Sequence, residues 1–236
     1  MQIINILPNN LIGPDMPRQE YELYLAGQIL KEPDKYSFLQ DDINSYKILD
    51  NSACELGKGL EIEQLLEAAK IIGADEIVLP DILKSNESLD YSLECMSKIP
   101  SNFKQKIALV IQGVDFGELV INAKKAKKIK QIDTIMLPKW SKHCRTLLTE
   151  LISDSDKEIH WLGMGTSLRE LLEPIASLVR TMDTGYYTAL AAGDYGLTLF
   201  EDRKDDIDIN LDYMNVNIEK LNDFIRQQNE FFGGVR

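Results

Sequence analysis

Short β-prone apolar runs alternate with stretches of helical spacing along almost the whole chain, and that alternation leaves few folds open. The runs fall at residues 3–7, 47–50, 76–80, 107–112, 134–138, 159–162 and 181–183, with a weaker one near 207–211. Between them Ile62, Leu65, Leu66, Ala69 and Ile72 recur every three or four positions, with Glu61, Glu63, Glu67 and Lys70 facing away. Leu168, Leu171, Leu172, Ile175 and Leu178 repeat the pattern behind a Thr166-Ser167 cap, and a further helix is expected near 114–129. Strand–helix units of about 28 residues predict parallel strands joined by crossover helices. Seven or eight such units predict an α/β fold of the compact (β/α)8 TIM type, a little under the ~250 residues typical of that barrel. An open, doubly wound sheet is the rival, weakened because no glycine-rich phosphate loop follows the first strand.

No linker, low-complexity block or sharp change of composition interrupts the pattern, so residues 1–236 read as a single barrel domain. Two stretches fit the repeat poorly. In 8–45, Pro8-Asn9-Asn10 and Gly13-Pro14 make a loop, 19–30 reads as helix, and Pro33 ends it. In 184–206, Gly185, Gly193 and Gly196 surround an apolar 187–192 core. Long loops at barrel strand ends often carry active sites. Residues 216–232 read as a C-terminal helix.

With 236 residues, 44% of them hydrophobic, the chain can bury roughly 70–75% of its unfolded surface, which excludes a disulfide-stapled mini-protein and a disordered tail. No apolar stretch approaches the ~20 residues of a membrane span. The opening Met1-Gln2-Ile3-Ile4-Asn5-Ile6-Leu7 has neither the basic flank nor the cleavage site of a signal peptide and reads as a strand. Cys54, Cys95 and Cys144, odd in number and widely spaced, read as reduced thiols, so a cytoplasmic setting is expected. With 38 acidic against 26 basic residues the net charge is −12. Long-range repulsion of polyanions excludes a general nucleic-acid coat, though a local basic patch could still hold one nucleic-acid substrate.

The most informative feature is what ends the strands, because the C-terminal ends of barrel strands converge on one mouth. They read Ile48-Leu49-Asp50-Asn51-Ser52, Val78-Leu79-Pro80-Asp81, Leu109-Val110-Ile111-Gln112-Gly113, Met136-Leu137-Pro138-Lys139, Trp161-Leu162-Gly163-Met164-Gly165 and Thr181-Met182-Asp183-Thr184. Three carboxylates, a carboxamide, a lysine and two glycines would face one pocket. Taken singly, Asp50 and Asp183 could equally cap the helices that follow, Asp81 could serve its turn, and Gly163 and Gly165 could be turn glycines. Gln112 is harder to dismiss, since an amide ending an apolar run must find partners for several donors and acceptors. Independent capping does not require every strand to end this way.

Other chemistries find little support. His143 and His160 are the only histidines; no spacing makes a zinc cage, and His160 reads as a packed or surface residue. There is no nucleophile elbow and no P-loop. The run Lys124-Lys125-Ala126-Lys127-Lys128-Ile129-Lys130 reads as a solvated helix end rather than a phosphate groove. Cys54 lacks an evident base. Trp140 and Trp161 read as core, with a stacking face as the alternative.

In their order, Leu49-Asp50-Asn51-Ser52-Ala53, Gly73-Ala74-Asp75-Glu76-Ile77-Val78-Leu79-Pro80-Asp81, Val110-Ile111-Gln112-Gly113, Leu162-Gly163-Met164-Gly165 and Met182-Asp183-Thr184 resemble the tRNA-guanine transglycosylase superfamily. The likeness covers about 46–190 and is greatest to the short branch that inserts 7-deazaguanines into DNA in phages and bacteria. It implies a (β/α)8 barrel that exchanges guanine in a nucleic acid for a free 7-deazaguanine base, with retention at the sugar and without a cofactor. It also implies Asp183 as the nucleophile at C1′ and Asp50 as the group that handles protons on the two bases. Asp81 and Gln112, with Gly113, Gly163, Met164 and Gly165, would hold the purine, and Tyr187 or Met164 would close over it. The tRNA enzymes carry a zinc site of three cysteines and a histidine that this chain lacks, so no metal is expected. They often have Ser-Gly-Gly where this chain has Asn51-Ser52-Ala53. DNA is therefore the expected substrate ahead of tRNA, with a nucleoside-level substrate also open. A protein partner supplying positive charge would be consistent with the acidity, and a homodimer is the other assembly left open. Loss of catalysis, leaving a base-binding accessory subunit, and hydrolysis of an N-glycosidic bond are the alternatives.

Overall fold

The apolar runs lie side by side as parallel strands in the order β1-β8-β7-β6-β5-β4-β3-β2. Their ranges in this computed structural model are β1 Gln2–Asn5, β2 Tyr21–Leu25, β3 Tyr46–Asp50, β4 Glu76–Val78, β5 Lys106–Val110, β6 Thr134–Leu137, β7 Glu158–Trp161 and β8 Thr181–Thr184. The structure describes residues 1–7, 9–16, 18–141, 144–163 and 174–184. β1 also lies beside β2, so the sheet curls into a nearly closed barrel, and the fold is the (β/α)8 TIM type. Helices α1 Ala26–Lys31, α2 Pro33–Tyr36, α3 Ala53–Leu56, α4 Ile62–Ile72, α5 Ser88–Ser97, α6 Phe116–Ala126 and α7 Arg145–Ile152 follow strands in chain order. Among the described residues no helix is long and apolar enough to cross a membrane.

One expectation is corrected. Residues 19–30 read as helix, but Tyr21–Leu25 is the second strand, and helix begins only at Ala26. Glu22 misleads the pattern by standing where a solvent-facing helical residue would. It is buried instead, taking bonds from Arg18 Nε (2.8 Å), Tyr24 Oη (2.7 Å) and Ser45 Oγ (2.7 Å). Because Leu23 and Tyr24 are both buried on opposite faces of the strand, the alternation that marks a half-exposed strand is absent. The eight strands are complete by residue 184, while the expected strand near 207–211, the 187–192 segment, the helix at 216–232 and the Thr166-Ser167 cap lie outside the described residues.

Elsewhere the pattern and the structure agree closely. α4 buries Ile62, Leu65, Ala68, Ala69 and Ile72 and stops at Gly73, whose φ of 61° suits glycine. α6 opens on Asp115, which accepts the Glu118 N–H at 2.9 Å, while the Glu118 carboxylate accepts the Val114 N–H at 2.8 Å. Within the basic run, Lys127 caps the Leu151 carbonyl and pairs with Asp154 at 2.6 Å, as a solvated helix end would.

Successive side chains on a strand point to opposite faces. Ile3, Leu109, Ile135, Trp161 and Met182 join the shell between barrel and helices, whereas Ile4, Leu23, Ile48, Val78, Ala108 and Met136 pack inside it. The floor of the barrel is polar. Arg180 binds Glu76 at 2.7 Å and Glu158 at 2.5 Å, Lys106 reaches Glu158 at 2.7 Å, and the Tyr46 hydroxyl donates to Glu76. The guanidinium also lies over the rings of Tyr21 and Tyr46. Glu76 is fully buried, so Glu76→Ala, which strands half of this ion network, should lower stability by about 3 kcal/mol. The paired change Glu76→Met with Arg180→Met should recover most of it, as measured by urea unfolding.

Candidate active site

Strand parity carries two carboxylates to the mouth. Asp50 follows inward-facing Ile48 by two positions, and Asp183 pairs in register with inward-facing Ile4. The turns after β4, β5 and β7 bring Asp81, Gln112 and Gly163 beside them. Together they line a cavity of about 420 Å³, within the range of small-molecule sites. Its apolar walls include Leu23, Leu25, Val110 and Leu162, and Trp140, Lys84 and Lys139 complete its rim. Asp50, Asp81, Gln112, Gly163 and Asp183 are thus gathered as expected. Gly113 is not: it turns toward α6, where a Cβ would lie 3.0 Å from that of Glu118. Met164, Gly165 and Tyr187 lie outside the described residues.

Asp183 is held from two sides through one oxygen. Its Oδ1 accepts the Gly163 N–H at 2.9 Å and lies 3.0 Å from His160 Nε2, which must donate to a carboxylate. His160 Nδ1 in turn meets Thr181 Oγ at 2.7 Å, inside a fully buried layer. Among the described residues Oδ2 accepts no bond. The Gly163 turn has a φ of 66°, which suits glycine, and Lys139 Cβ would lie a tight 3.1 Å from a Cβ there. Buried Arg145 clamps the turn by donating from one nitrogen to the Leu162 and Gly163 carbonyls, each at 2.8 Å, with its plane against Trp161. Sequence reasoning read His160 as a packed or surface residue and missed Arg145. The signal for His160 was its register partner Thr181, two residues before Asp183 on the same face.

The opposite wall is an amide–carboxylate network. Asp81 accepts Asn51 Nδ2 on Oδ1 at 2.9 Å and Gln112 Nε2 on Oδ2 at 2.7 Å. The other Asn51 amide hydrogen goes to the Leu79 carbonyl, and its oxygen accepts the Ala53 N–H. Gln112 Oε1 accepts the Trp140 indole N–H at 2.9 Å and the Lys84 N–H at 3.1 Å. Asn51, Trp140 and Gly59 are the contributors that the sequence hid. Gly59 runs so near this wall that a Cβ would fall 2.8 Å from Pro80 Cα and 2.9 Å from the Asp81 nitrogen. Gly59→Ala should therefore cost about 1–3 kcal/mol by overpacking against backbone, read from the shift in urea midpoint.

Burial raises two of the carboxyl groups. Asp50 is pushed up to about 8, first by burial and then by Glu55, Asp81 and Asp183, against one favourable bond from the Ser52 N–H at 2.8 Å. Burial also raises Asp81, opposed by its bonds from Gln112 and Asn51. Cys54, on the same wall, is pushed up to about 12 by burial and the neighbouring carboxylates, so it stays a thiol and is no nucleophile at neutral pH.

No protein-family model matches the chain, and no curated protein matches it in sequence. What the pocket can do follows from its groups. It holds one carboxyl group suited to giving up a proton near neutral pH, one carboxylate fixed by two donors, and a neighbouring acceptor–donor pair. The pH dependence of folding should report the first. Because the folded-state value for Asp50 lies above the ordinary carboxylate value of 3.8, the native state binds the extra proton between about pH 4 and 8. Its contribution to stability is present at low pH and is lost as pH rises through that window. Asp50→Asn should remove this fall, making the variant more stable than wild type at pH 8.5 in urea titrations.

Proposed function

We propose that the chain is a base-exchange transglycosylase that replaces guanine in a nucleic acid with a 7-deazaguanine through a covalent aspartyl–sugar intermediate. The observation that carries the reading is that the Asp183 carboxylate and the Asp81–Gln112 pair line one cavity together with Asp50. A carboxylate is a competent nucleophile toward an oxocarbenium-like sugar carbon. Asp81 accepts from ring N–H and amino groups, and Gln112 donates to a ring carbonyl. This is the pattern a guanine edge satisfies.

In the first step Asp183 Oδ2 attacks C1′ and the C1′–N9 bond breaks. The bonding pair departs with guanine, which takes the proton of the Asp50 carboxyl group. In the second, Asp50 as carboxylate removes the ring N–H proton of the incoming 7-deazaguanine. That nitrogen bonds to C1′, the ester breaks, and Asp183 returns as a carboxylate. Two inversions give retention. Gly163 and His160 hold Asp183 in line, and the apolar walls keep water from intercepting the ester. The net charge of −12 favours a substrate contacted over a small area, and the lack of the tRNA enzymes' zinc site favours DNA ahead of tRNA.

Incorporation of labelled guanine into duplex DNA, and not into tRNA, should be measurable with the wild-type chain and abolished by Asp183→Ala. With Asp50 protonated at the start, kcat/KM should fall above about pH 8, the value to which its environment raises that group. Release of guanine without replacement would make the chain a hydrolase. Tight binding of a free base without exchange would make it an accessory subunit. Absence of both exchange and base binding would overturn the reading.

A further inference from the structure

Gln112 has no freedom to choose which end of its amide it presents. Its oxygen accepts two N–H bonds, from Trp140 at 2.9 Å and from the Lys84 backbone at 3.1 Å, while its nitrogen donates to Asp81 at 2.7 Å. Turning the amide over would set its NH2 against two donors and its carbonyl against a carboxylate. Three attractions would become three repulsions in a side chain that is almost fully buried. The second hydrogen on Nε2 meets no partner among the described residues, and Gln112 lines the cavity. The wall therefore offers a carboxylate acceptor beside a fixed N–H donor.

An acceptor beside a donor complements one kind of heterocycle edge, the –NH–C(=O)– of a cyclic lactam. The reversed edge, =N–C(NH2)–, would meet acceptor with acceptor and donor with donor. Leaving such groups unpaired in a buried site is how pockets discriminate most strongly. The Lys84 contribution comes from the main chain and is indifferent to its side chain. Trp140 supplies the side-chain half of the lock. A tryptophan serving only as an apolar wall would have no need to aim its N–H at this oxygen. Trp161, whose N–H is spent on Thr149 at 3.0 Å in the outer shell, is not part of the cavity.

We infer that Trp140 is a specificity-determining residue: by fixing the Gln112 amide it makes the pocket select a base with a lactam edge and reject its 6-amino counterpart. This rests on the base-pocket reading proposed above and deepens it by naming what sets the choice. Trp140 acts through Gln112 and is a positioning residue, so activity alone would not reveal its role.

The test is the ratio of two affinities. Guanine and 2,6-diaminopurine carry the same 2-amino group and differ across the N1–C6 edge. Their dissociation constants would be measured by calorimetry for wild type and Trp140→Phe. A third protein would carry benzothienylalanine at position 140, which keeps the indole shape and replaces the N–H by sulfur. Wild type should prefer guanine at least 100-fold, and both altered proteins should narrow that preference several-fold as the amide loses one of the three bonds that fix it. An unchanged ratio in the benzothienyl protein, or an equal loss for both bases, would overturn the role of Trp140 while leaving the pocket reading intact. If wild type binds neither base, the pocket reading and this inference fall together.

Discussion

A closed parallel barrel permits a side chain only two destinations, the interior or the shell under the helices, and the choice alternates at every residue. Once Ile48, Val78, Ala108 and Met136 fill the middle of the interior, the residues above and below them on each strand have their positions set. Glu76, Lys106, Glu158 and Arg180 form the floor, where they neutralise one another. Asp50 and Asp183 reach the mouth, where there is a cavity and, among the described residues, no guanidinium or ammonium group paired with them. Both layers hold carboxylates, so the contrast lies in what each carboxylate meets: guanidinium and ammonium groups below, hydrogen-bond donors of the backbone, amides and a histidine above.

The upper layer shows how one functional group acquires three characters. Asp183 receives two N–H bonds on one oxygen, Asp81 receives an amide on each, and Asp50 receives a single backbone bond and otherwise faces burial and other acids. A carboxyl group raised by burial, as that of Asp50 is, suits acid–base chemistry at neutral pH. The glycines at 59 and 163 contribute by absence: each removes a methylene that would collide with a neighbouring turn.

Much of this was legible without coordinates because it depends on periodicity. The alternation of strands and helices announces the barrel, and the strand ends announce Asp50, Asp81, Gln112 and Asp183. The second strand was illegible for a physical reason: Tyr21–Leu25 is buried on both faces, and a carboxylate inside it is satisfied by residues as distant as Ser45. The supporting residues were illegible for another. That Asn51 spends both amide hydrogens on Leu79 and Asp81, that Arg145 grips the Leu162–Gly163 turn, and that Trp140 meets Gln112 are all matters of approach between separate turns. No local pattern encodes them. Gly113 shows the converse, a residue at the right place in the sequence whose backbone is taken up by helix packing.

The pairing of β1 with β8 carries a consequence of its own. Ile4 stands opposite Asp183 in that ladder, and the Ile6 N–H bonds the Thr184 carbonyl at 2.8 Å. The strand bearing Asp183 is therefore flanked by the first strand of the chain, across the largest sequence separation in the sheet. Such a contact is among the costliest to close entropically and belongs to the late stages of barrel assembly. The pocket's acids converge only when the sheet has curled, so a half-assembled chain carries the residues of the cavity without the cavity.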